Sequence, residues 1–542
     1  MHNTVKKFLS QINQNSYIIF LVLFWLLYGT YIIHSAYFKN IYISPDSSNY
    51  LREAEAITQG YGFNYNGMAG GHNHFALWPV GYPVLIALSQ LIFRCNGYLA
   101  SKIITILLIA FELFILARRY KSKSWLYALV LSNYGIISIN RYTWSEVPFS
   151  AALLVYTLAL SEITSNENCS IKHYIILAVS MICAFLSRYF GALTVMTSLL
   201  TVLILFYFSI SDKSQRTSSH KKRILKLSIT SLISGFIMFS YLLFNKVMCG
   251  YSTGMNRAAF TEDIRQLTVT LIKSILYEAQ NIFSILAYHL HLSLNYWLVI
   301  IIPVLIIFIY VIAKKVISCF RNKHLDDSAI FFLVGICYYA AFIIIRFRST
   351  MDPFSYRFWA PASMLILMGL VSCFCDTKLL QKSVKLLWTG GGAMLLITLF
   401  LISRDIKTGL DNPVYSRIKS EINFYLQELP SGTVILMCND KIDNEGKRHN
   451  GEEFYYGYAN YFRTDLVTVG GWSNPLMKYD SLDALKKEYR DYKYIAVSKF
   501  ALNNELKVNR QSYSETLLSS LELLADQQQS QSNRKFVIIN IN

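Results

Sequence analysis

Eleven apolar stretches constrain the fold of this chain more than any other feature of its sequence. A helix that crosses a bilayer needs about 20 mostly apolar residues. Only 15% of the 542 residues are charged, whereas a soluble globular protein has about 25%. The sequence therefore predicts an α-helical polytopic membrane protein with about eleven spans, at 17–36, 99–117, 125–140, 147–161, 173–187, 191–210, 227–247, 296–313, 328–345, 358–375 and 386–403.

The net charge of +18 follows the predicted loops. Residues 404–542 contain 18 basic and 18 acidic side chains, so the excess belongs to residues 1–403. Twenty of these cations fall in six alternate loops, from Lys6 before the first span to Lys385 after the tenth. Since short cytoplasmic loops are enriched in Lys and Arg, these loops and the N-terminus are predicted to be cytoplasmic. A nucleic-acid-binding domain concentrates its basic residues on a soluble fold, whereas the cations here lie between apolar runs. No nucleic-acid partner is therefore expected.

The C-terminal segment has a different pattern. An odd number of spans places residues 404–542 outside, on the periplasmic side if the membrane is the bacterial inner membrane. Alternating strands and helices predict a small α/β extracytoplasmic domain. Residues 1–403 form the predicted transmembrane domain, with a long first outer loop at 38–98. The predicted strands of the outer domain are 433–438, 466–469, 494–497 and 535–541, and its helices include 481–490 and 512–524.

The first outer loop contains an aspartate with two interpretations. Asp46 follows Pro45, which restricts Ser44 to extended geometry, and it precedes a helical stretch at 51–59. The side chain could cap that helix, or it could be a reactive carboxylate that faces a cavity at the membrane surface. His72 and His74 lie later in the loop and suit phosphate or substrate contact, an ordinary surface loop, or metal binding. Two histidines without a third ligand are a weak metal signal.

Glu146 lies at the start of the fourth predicted span, where an acid must be solvated or paired. Arg141, five residues earlier, is a plausible structural partner, and a chemical role for Glu146 is the alternative.

Several arginines on the predicted outer side are exceptions to the enrichment of cations in the cytoplasmic loops. Arg188 lies between the fifth and sixth spans, and Arg348 and Arg357 lie in the loop before the tenth. The planar guanidinium group of arginine can bind two oxygens of one phosphate at the same time, so an anionic lipid headgroup is a natural partner. Snorkelling or pairing with Asp352 is the alternative.

The order of these motifs resembles the GT-C class of polytopic glycosyltransferases. The most similar branch is the bacterial one akin to protein O-mannosyltransferases and lipid A aminoarabinose transferases. The resemblance implies transfer of a sugar, with inversion, from a polyprenyl-phosphate carrier on the outer face of the membrane. It is carried by Asp46, Tyr50, Ala54, Gly60, Trp78-Pro79-x-Gly81-Tyr82-Pro83, Ser145-Glu146-x-Pro148-Phe149, Ser187-Arg188-Tyr189 and Tyr356-Arg357-Phe358-x-x-Pro361.

Roles follow from the resemblance and from chemistry. Asp46 corresponds to the first-loop aspartate of the family, although Ser47 stands where a second acid is common. The resemblance to aminoarabinose transferases implies a lysine near the carrier phosphate, late in the first outer loop. This sequence has no lysine there, so His72 or His74 would have to serve. A carboxylate assists deprotonation of the acceptor hydroxyl, and cations stabilise the leaving phosphate. We expect Asp46 as the general base, with Glu146 as a second catalytic carboxylate, and Arg357, Arg348, Arg188, His74 and His72 as phosphate or substrate contacts.

The predicted enzyme is a hexosyl- or pentosyltransferase whose acceptor is a glycolipid, a polysaccharide or a protein. No cofactor is predicted, and a divalent cation is left open. A lipid or polysaccharide flippase or transporter is an alternative, in which the outer arginines form an anion port. Transporters often contain paired repeats with broken helices, which the sequence does not show. A lipid-linked oligosaccharide ligase or polymerase is the other alternative.

Overall fold

The structure is a computed structural model. It describes residues 2–39, 44–65, 73–74, 76–211, 217–253, 263–282, 294–349, 354–375, 384–410, 426–427, 429–436, 466–469, 476, 479–498, 514–528 and 536–541.

Two compact units make up the chain. The first comprises Met1–Ser35, Ala76–Tyr82 and Lys102–Ile406. The second comprises Ala36–Phe75, Pro83–Ser101 and Lys407–Asn542. Most of the first outer loop therefore groups with the C-terminal segment.

Helices dominate the described residues, as predicted. They are α1 His2–Lys39, α2 Pro45–Thr58, α3 Gly81–Phe93, α4 Gly97–Tyr120, α5 Ser124–Leu131, α6 Tyr134–Arg141, α7 Glu146–Ser165, α8 Ile171–Ser187, α9 Leu193–Ser211, α10 Ser218–Cys249, α11 Ile264–Ile282, α12 Leu294–Asn322, α13 Asp327–Arg346, α14 Tyr356–Cys375, α15 Val384–Leu410, α16 Leu482–Glu488 and α17 Glu515–Gln527.

Eight helical segments in the described residues are long and apolar enough to cross a membrane. The predicted stretches 173–187 and 386–403 are also helical, but their apolar parts, Ile171–Ser187 and Thr389–Phe400, are shorter. The eight segments are Tyr17–Ser35, Gly97–Leu131, Glu146–Ser165, Tyr189–Ser211, Ser218–Cys249, Ile302–Asn322, Asp327–Arg346 and Tyr356–Cys375.

The third predicted span, 125–140, is not one continuous helix. It is divided into α5 and α6 at Ser132 and Asn133. The Asn133 side chain accepts a hydrogen bond from the Gly135 N–H at 2.8 Å and so caps α6. Asparagine is a favoured N-cap, and hydropathy alone does not register this interruption.

Charged residues tie three helices together at one end of the first unit. Arg119 of α4 donates to Glu162 of α7 at 2.7 Å and to Asp327 of α13 at 2.6 Å. Tyr120 also donates to Asp327, at 2.9 Å. At 1.5 Å per helical residue, Glu162 lies about 24 Å along α7 from Glu146, at the opposite end of the helix.

The second unit contains a four-stranded sheet near the C-terminus. Its strands are β3 Thr433–Leu436, β4 Val467–Val469, β5 Tyr494–Ser498 and β6 Phe536–Asn540, in the order β4-β3-β5-β6. β3 is parallel to β4 and β5, whereas β6 is antiparallel to β5. Each strand lies within, or one residue beyond, a run predicted from the sequence. A two-stranded ribbon, β1 Asn64–Tyr65 and β2 Asn73–His74, belongs to the same unit.

Candidate functional site

Glu146, the first residue of α7, is the centre of a buried charged cluster. Its exposed fraction is 1%. Arg188 donates through Nη1 to its Oε1, and Arg357 donates through Nε to Oε1 and through Nη2 to Oε2. The expected pairing with Arg141 is wrong. Arg141 ends α6, and its guanidinium turns back to donate to Ser138 Oγ at 3.1 Å.

Aromatic rings surround the two arginines. The guanidinium carbon of Arg357 lies 4.4 Å from the centroid of the Trp144 ring. The Phe358 ring centroid is 5.6 Å from the guanidinium carbon of Arg357 and 5.4 Å from the guanidinium carbon of Arg188. The Trp144 ring also stacks on Tyr142, with centroids 4.0 Å apart. Cation–π attraction is strongest when the cation is desolvated, so these rings help to fix both guanidinium groups.

The local sequence explains why Glu146 lies at a helix start. Pro148 follows in the first turn, where its missing N–H costs no hydrogen bond. The Phe149 N–H donates to the Ser145 carbonyl at 3.1 Å, which closes that turn. The positive end of the helix dipole favours a carboxylate at this position.

A tight turn directs Arg188 into the cluster. α8 ends at Ser187, and the Arg188 backbone is extended, with φ −149° and ψ 135°. A 3₁₀ turn at Tyr189–Ala192 follows. A Cβ on Gly191 would lie 2.3 Å from the Phe185 backbone nitrogen, so only glycine permits this close return of the chain.

Arg357 is the second residue of α14, where the helix dipole disfavours a cation. The carboxylate of Glu146 offsets this cost. Two guanidinium groups and one carboxylate leave the cluster with a net charge of +1. Because a guanidinium carries several N–H donors and matches phosphate geometry, the cluster suits an anionic group such as a phosphate.

Asp46 belongs to the second unit and lies in the first turn of α2. Ser44 is the N-cap of this helix, since its Oγ accepts from the Ser47 N–H at 3.2 Å. The interpretation of Asp46 as the cap is therefore wrong. The expected extended geometry of Ser44 is observed, with φ −110° and ψ 172°. Asp46 itself is half-buried.

Glu53 is a second acid on α2, seven residues after Asp46. Two helical turns separate them, so they share one side of the helix. Glu53 is fully buried, and neither carboxylate oxygen has a hydrogen-bond partner among the described residues. Burial raises the pKa of this carboxyl group well above its ordinary value. The neighbouring Arg52 donates to the Leu466 carbonyl at 3.1 Å, which anchors α2 beside β4.

Comparison with known proteins identifies the architecture. No protein-family model matches the chain, and no curated protein matches it in sequence. The crystal structure of ArnT from Cupriavidus metallidurans bound to undecaprenyl phosphate is 10% identical, with a TM-score of 0.54 over 91% of this chain and 94% of that chain. Its apo state is 11% identical, with a TM-score of 0.55 and the same coverage. The chain has the GT-C fold. This confirms the resemblance found in the motifs.

The GT-C fold and the eight membrane-length helices make the chain an integral membrane protein. Its first unit brings together Glu146, Arg188 and Arg357, which are widely separated in the sequence. Arg348, after α13, is exposed, and in the described part of the chain it forms no hydrogen bond or ion pair with these three residues. Its predicted phosphate contact stays a prediction.

The two histidines of the first outer loop are less informative. His74 lies in β2 of the second unit, where it pairs with Asn64, and it is half-buried. His72 lies outside the described residues. Within the described parts of the chain, no group of three or more His, Cys, Asp or Glu side chains could hold a metal ion.

Two buried charged residues, Glu53 and Lys102, were not singled out from the sequence. Lys102 is buried on α4 and donates to the Arg141 carbonyl. A lysine within an apolar stretch is itself a sign of function in a membrane protein. The contacts of the Trp144 and Phe358 rings with the arginines could be found only from the fold, because aromatic residues are common throughout this sequence.

Proposed function

We propose that the protein is an integral-membrane glycosyltransferase that moves a sugar from a polyprenyl-phosphate carrier to an acceptor hydroxyl. The observation that carries this proposal is the arginine pair held on a buried carboxylate within a GT-C fold. The similar ArnT structure is bound to undecaprenyl phosphate, which is the class of lipid that such a pair would bind. The acceptor would be a glycolipid, a polysaccharide or a protein.

The reaction needs two kinds of group. As the bond between C1 of the sugar and the carrier phosphate breaks, negative charge develops on the phosphate, and Arg188 and Arg357 would stabilise it. The acceptor hydroxyl must lose its proton as it attacks C1, and Asp46 would accept that proton. A single displacement of this kind inverts the configuration at C1.

Glu146 has a positioning role in this proposal rather than the role of a second catalytic acid. Both of its oxygens accept hydrogen bonds from arginine. A carboxylate held in this way is a poor proton acceptor, because its charged form is stabilised by two cations. It would instead set the separation and the orientation of the two guanidinium groups.

The predicted orientation fits this chemistry. Glu146, Arg188 and Arg357 fall on the outer side by the distribution of loop cations. The N-terminus would be cytoplasmic and the C-terminal domain extracytoplasmic. The carrier lipid could then keep its tail in the bilayer while its phosphate binds at the outer surface.

Mass spectrometry of cell-surface glycolipids and glycoproteins, with and without the gene, would test the function. A missing sugar would identify the acceptor and support the transferase. Accumulation of the lipid-linked precursor on the inner side would favour the flippase. Binding of undecaprenyl phosphate to the purified protein is the matching direct assay, with Arg188→Ala and Arg357→Ala as the diagnostic variants.

A further inference from the structure

Two hydrogen bonds join α11 to the start of α14. Trp359 donates through Nε1 to Ser274 Oγ, and Ser363 donates through Oγ to Glu278 Oε1. The two donors are four residues apart on α14, and the two acceptors are four residues apart on α11. Each helix therefore contributes one partner per turn, and the contact forms a ladder of two rungs.

The ladder is buried inside the first unit. The exposed fractions of Ser274, Glu278 and Ser363 are 6%, 5% and 1%. The Tyr339 hydroxyl lies 2.6 Å from Ser363 Oγ, which extends the polar contact to α13. An acid buried in a helical membrane bundle is costly, and such groups usually serve a function.

Aromatic contacts lead from this ladder to the arginine pair. The Trp359 ring is edge-on to Phe342, with centroids 5.3 Å apart. Phe342 in turn stacks on Phe358 at 5.0 Å. The Phe358 ring lies beneath the guanidinium groups of Arg188 and Arg357. Packed side chains thus connect the ladder with the charged cluster.

We propose that Ser274 and Glu278 are positioning residues that fix the first two turns of α14 and thereby hold the Arg357 guanidinium in place for the carrier phosphate. This inference rests on the proposed function. Trp359 is two residues from Arg357, so movement of this turn would move both side chains. A shift of about 1 Å in a binding group can strongly weaken its action on the substrate.

Binding of undecaprenyl phosphate to the full-length purified protein tests this role. Loss of the first rung leaves the buried Trp359 N–H without its acceptor, and loss of the second rung leaves Ser363 with Tyr339 alone and no bond to α11. Ser274→Ala and Glu278→Ala should each weaken binding about tenfold, which corresponds to about 1.4 kcal/mol. Glu278→Gln should restore near-normal binding, because its amide oxygen can accept from Ser363. Thr270→Ala is the matched control on α11. Thr270 is exposed, and its hydroxyl donates to the Gln266 backbone carbonyl of the same helix at 2.9 Å.

Ser363→Ala removes the second rung from the other helix and should also weaken binding about tenfold. It takes the place of Glu278→Ala if that variant does not fold. Normal binding by folded Ser274→Ala and by either second-rung variant would overturn the inference. So would a Glu278→Gln variant that binds as weakly as Glu278→Ala. The proposed function fails separately, if the wild-type protein does not bind the lipid or if Arg357→Ala binds it as well as the wild type.

Discussion

Arg357 lies over the ring of Trp144, with its guanidinium carbon 4.4 Å from the ring centroid. The same guanidinium donates to both oxygens of Glu146. A cation held by a ring and a carboxylate at once has little freedom to rotate, so its direction is set before any ligand arrives. Preorganisation of this kind is what electrostatic stabilisation of a transition state requires.

Arg357→Ala should weaken binding of undecaprenyl phosphate by about thirtyfold to four-thousandfold, since removal of a charged hydrogen-bonding partner costs about 2 to 5 kcal/mol. Arg357→Lys should bind with intermediate affinity, because lysine keeps the charge but loses the planar fork. Titration of the purified protein measures both. Arg118→Ala is the control, since Arg118 also lies over a ring, that of Phe114, at 5.8 Å, but outside the cluster. Equal affinities for Arg357→Ala and the wild type would refute the assignment.

Glu146→Ala should lower the free energy of unfolding by about 3 to 5 kcal/mol, because it leaves two arginines without their shared buried carboxylate. Inorganic phosphate should partly restore the melting temperature of this variant by taking the place of the carboxylate. The wild-type protein should respond much less. A thermal melt at increasing phosphate concentration checks this, and an identical response in the two proteins would mean that Glu146 does not hold the pair.

Asp46→Asn should abolish sugar transfer and leave the melting temperature close to that of the wild type. The carboxylate is lost, whereas the cap of α2 is supplied by Ser44. Ser44→Ala is the complementary variant, and it should reduce stability by about 1 kcal/mol while retaining sugar transfer, because Asp46, the proposed base, is unchanged. An Asp46→Asn variant with full transfer activity would remove the assignment of Asp46 as base.

Stability should depend on pH through Glu53. Its pKa is raised by burial above the ordinary value of 4.5, so the folded protein keeps a proton that the unfolded chain loses as the pH passes 4.5. The contribution of Glu53 to the free energy of unfolding is therefore largest below pH 4.5. It declines as the pH rises toward the raised pKa of the carboxyl group in the folded protein. Glu53→Gln should flatten this part of the melting profile and raise the melting temperature at neutral pH.

Glu55→Gln is the control for this pH prediction. Glu55 lies on the same helix, and its Oε1 accepts from Gln59 at an exposed site, at 3.2 Å. Its substitution should leave the profile unchanged. A wild-type profile that is flat above pH 4.5 would show that Glu53 is not buried in solution as it is in the structure.

The fold was largely predictable because its strongest signals are local. Apolar length marked the helices, and β-branched runs marked the four strands near the C-terminus. The division of the third span depends on a single capping side chain, Asn133, which hydropathy does not detect. Ser44 and Asp46 are both good capping residues, and only the backbone geometry shows which of them caps α2.

The candidate site was predictable in its residues but not in its contacts. Glu146, Arg188 and Arg357 were singled out because charges near the ends of spans are unusual. Their partnership could not be inferred, since the arginine nearest to Glu146 in the sequence is Arg141. Glu53 gave no signal, because acids are ordinary in a polar loop until the fold buries them.

The net charge of +1 in the arginine cluster has a consequence for turnover. The proposed donor, a polyprenyl-phosphate sugar, is a phosphodiester with one negative charge, whereas the carrier that the proposed reaction would release is a monoester with a charge approaching −2 at neutral pH. The same two guanidinium groups should attract the spent carrier more strongly than the loaded one. We therefore expect product inhibition by the lipid phosphate, which should bind more tightly than the sugar-loaded donor.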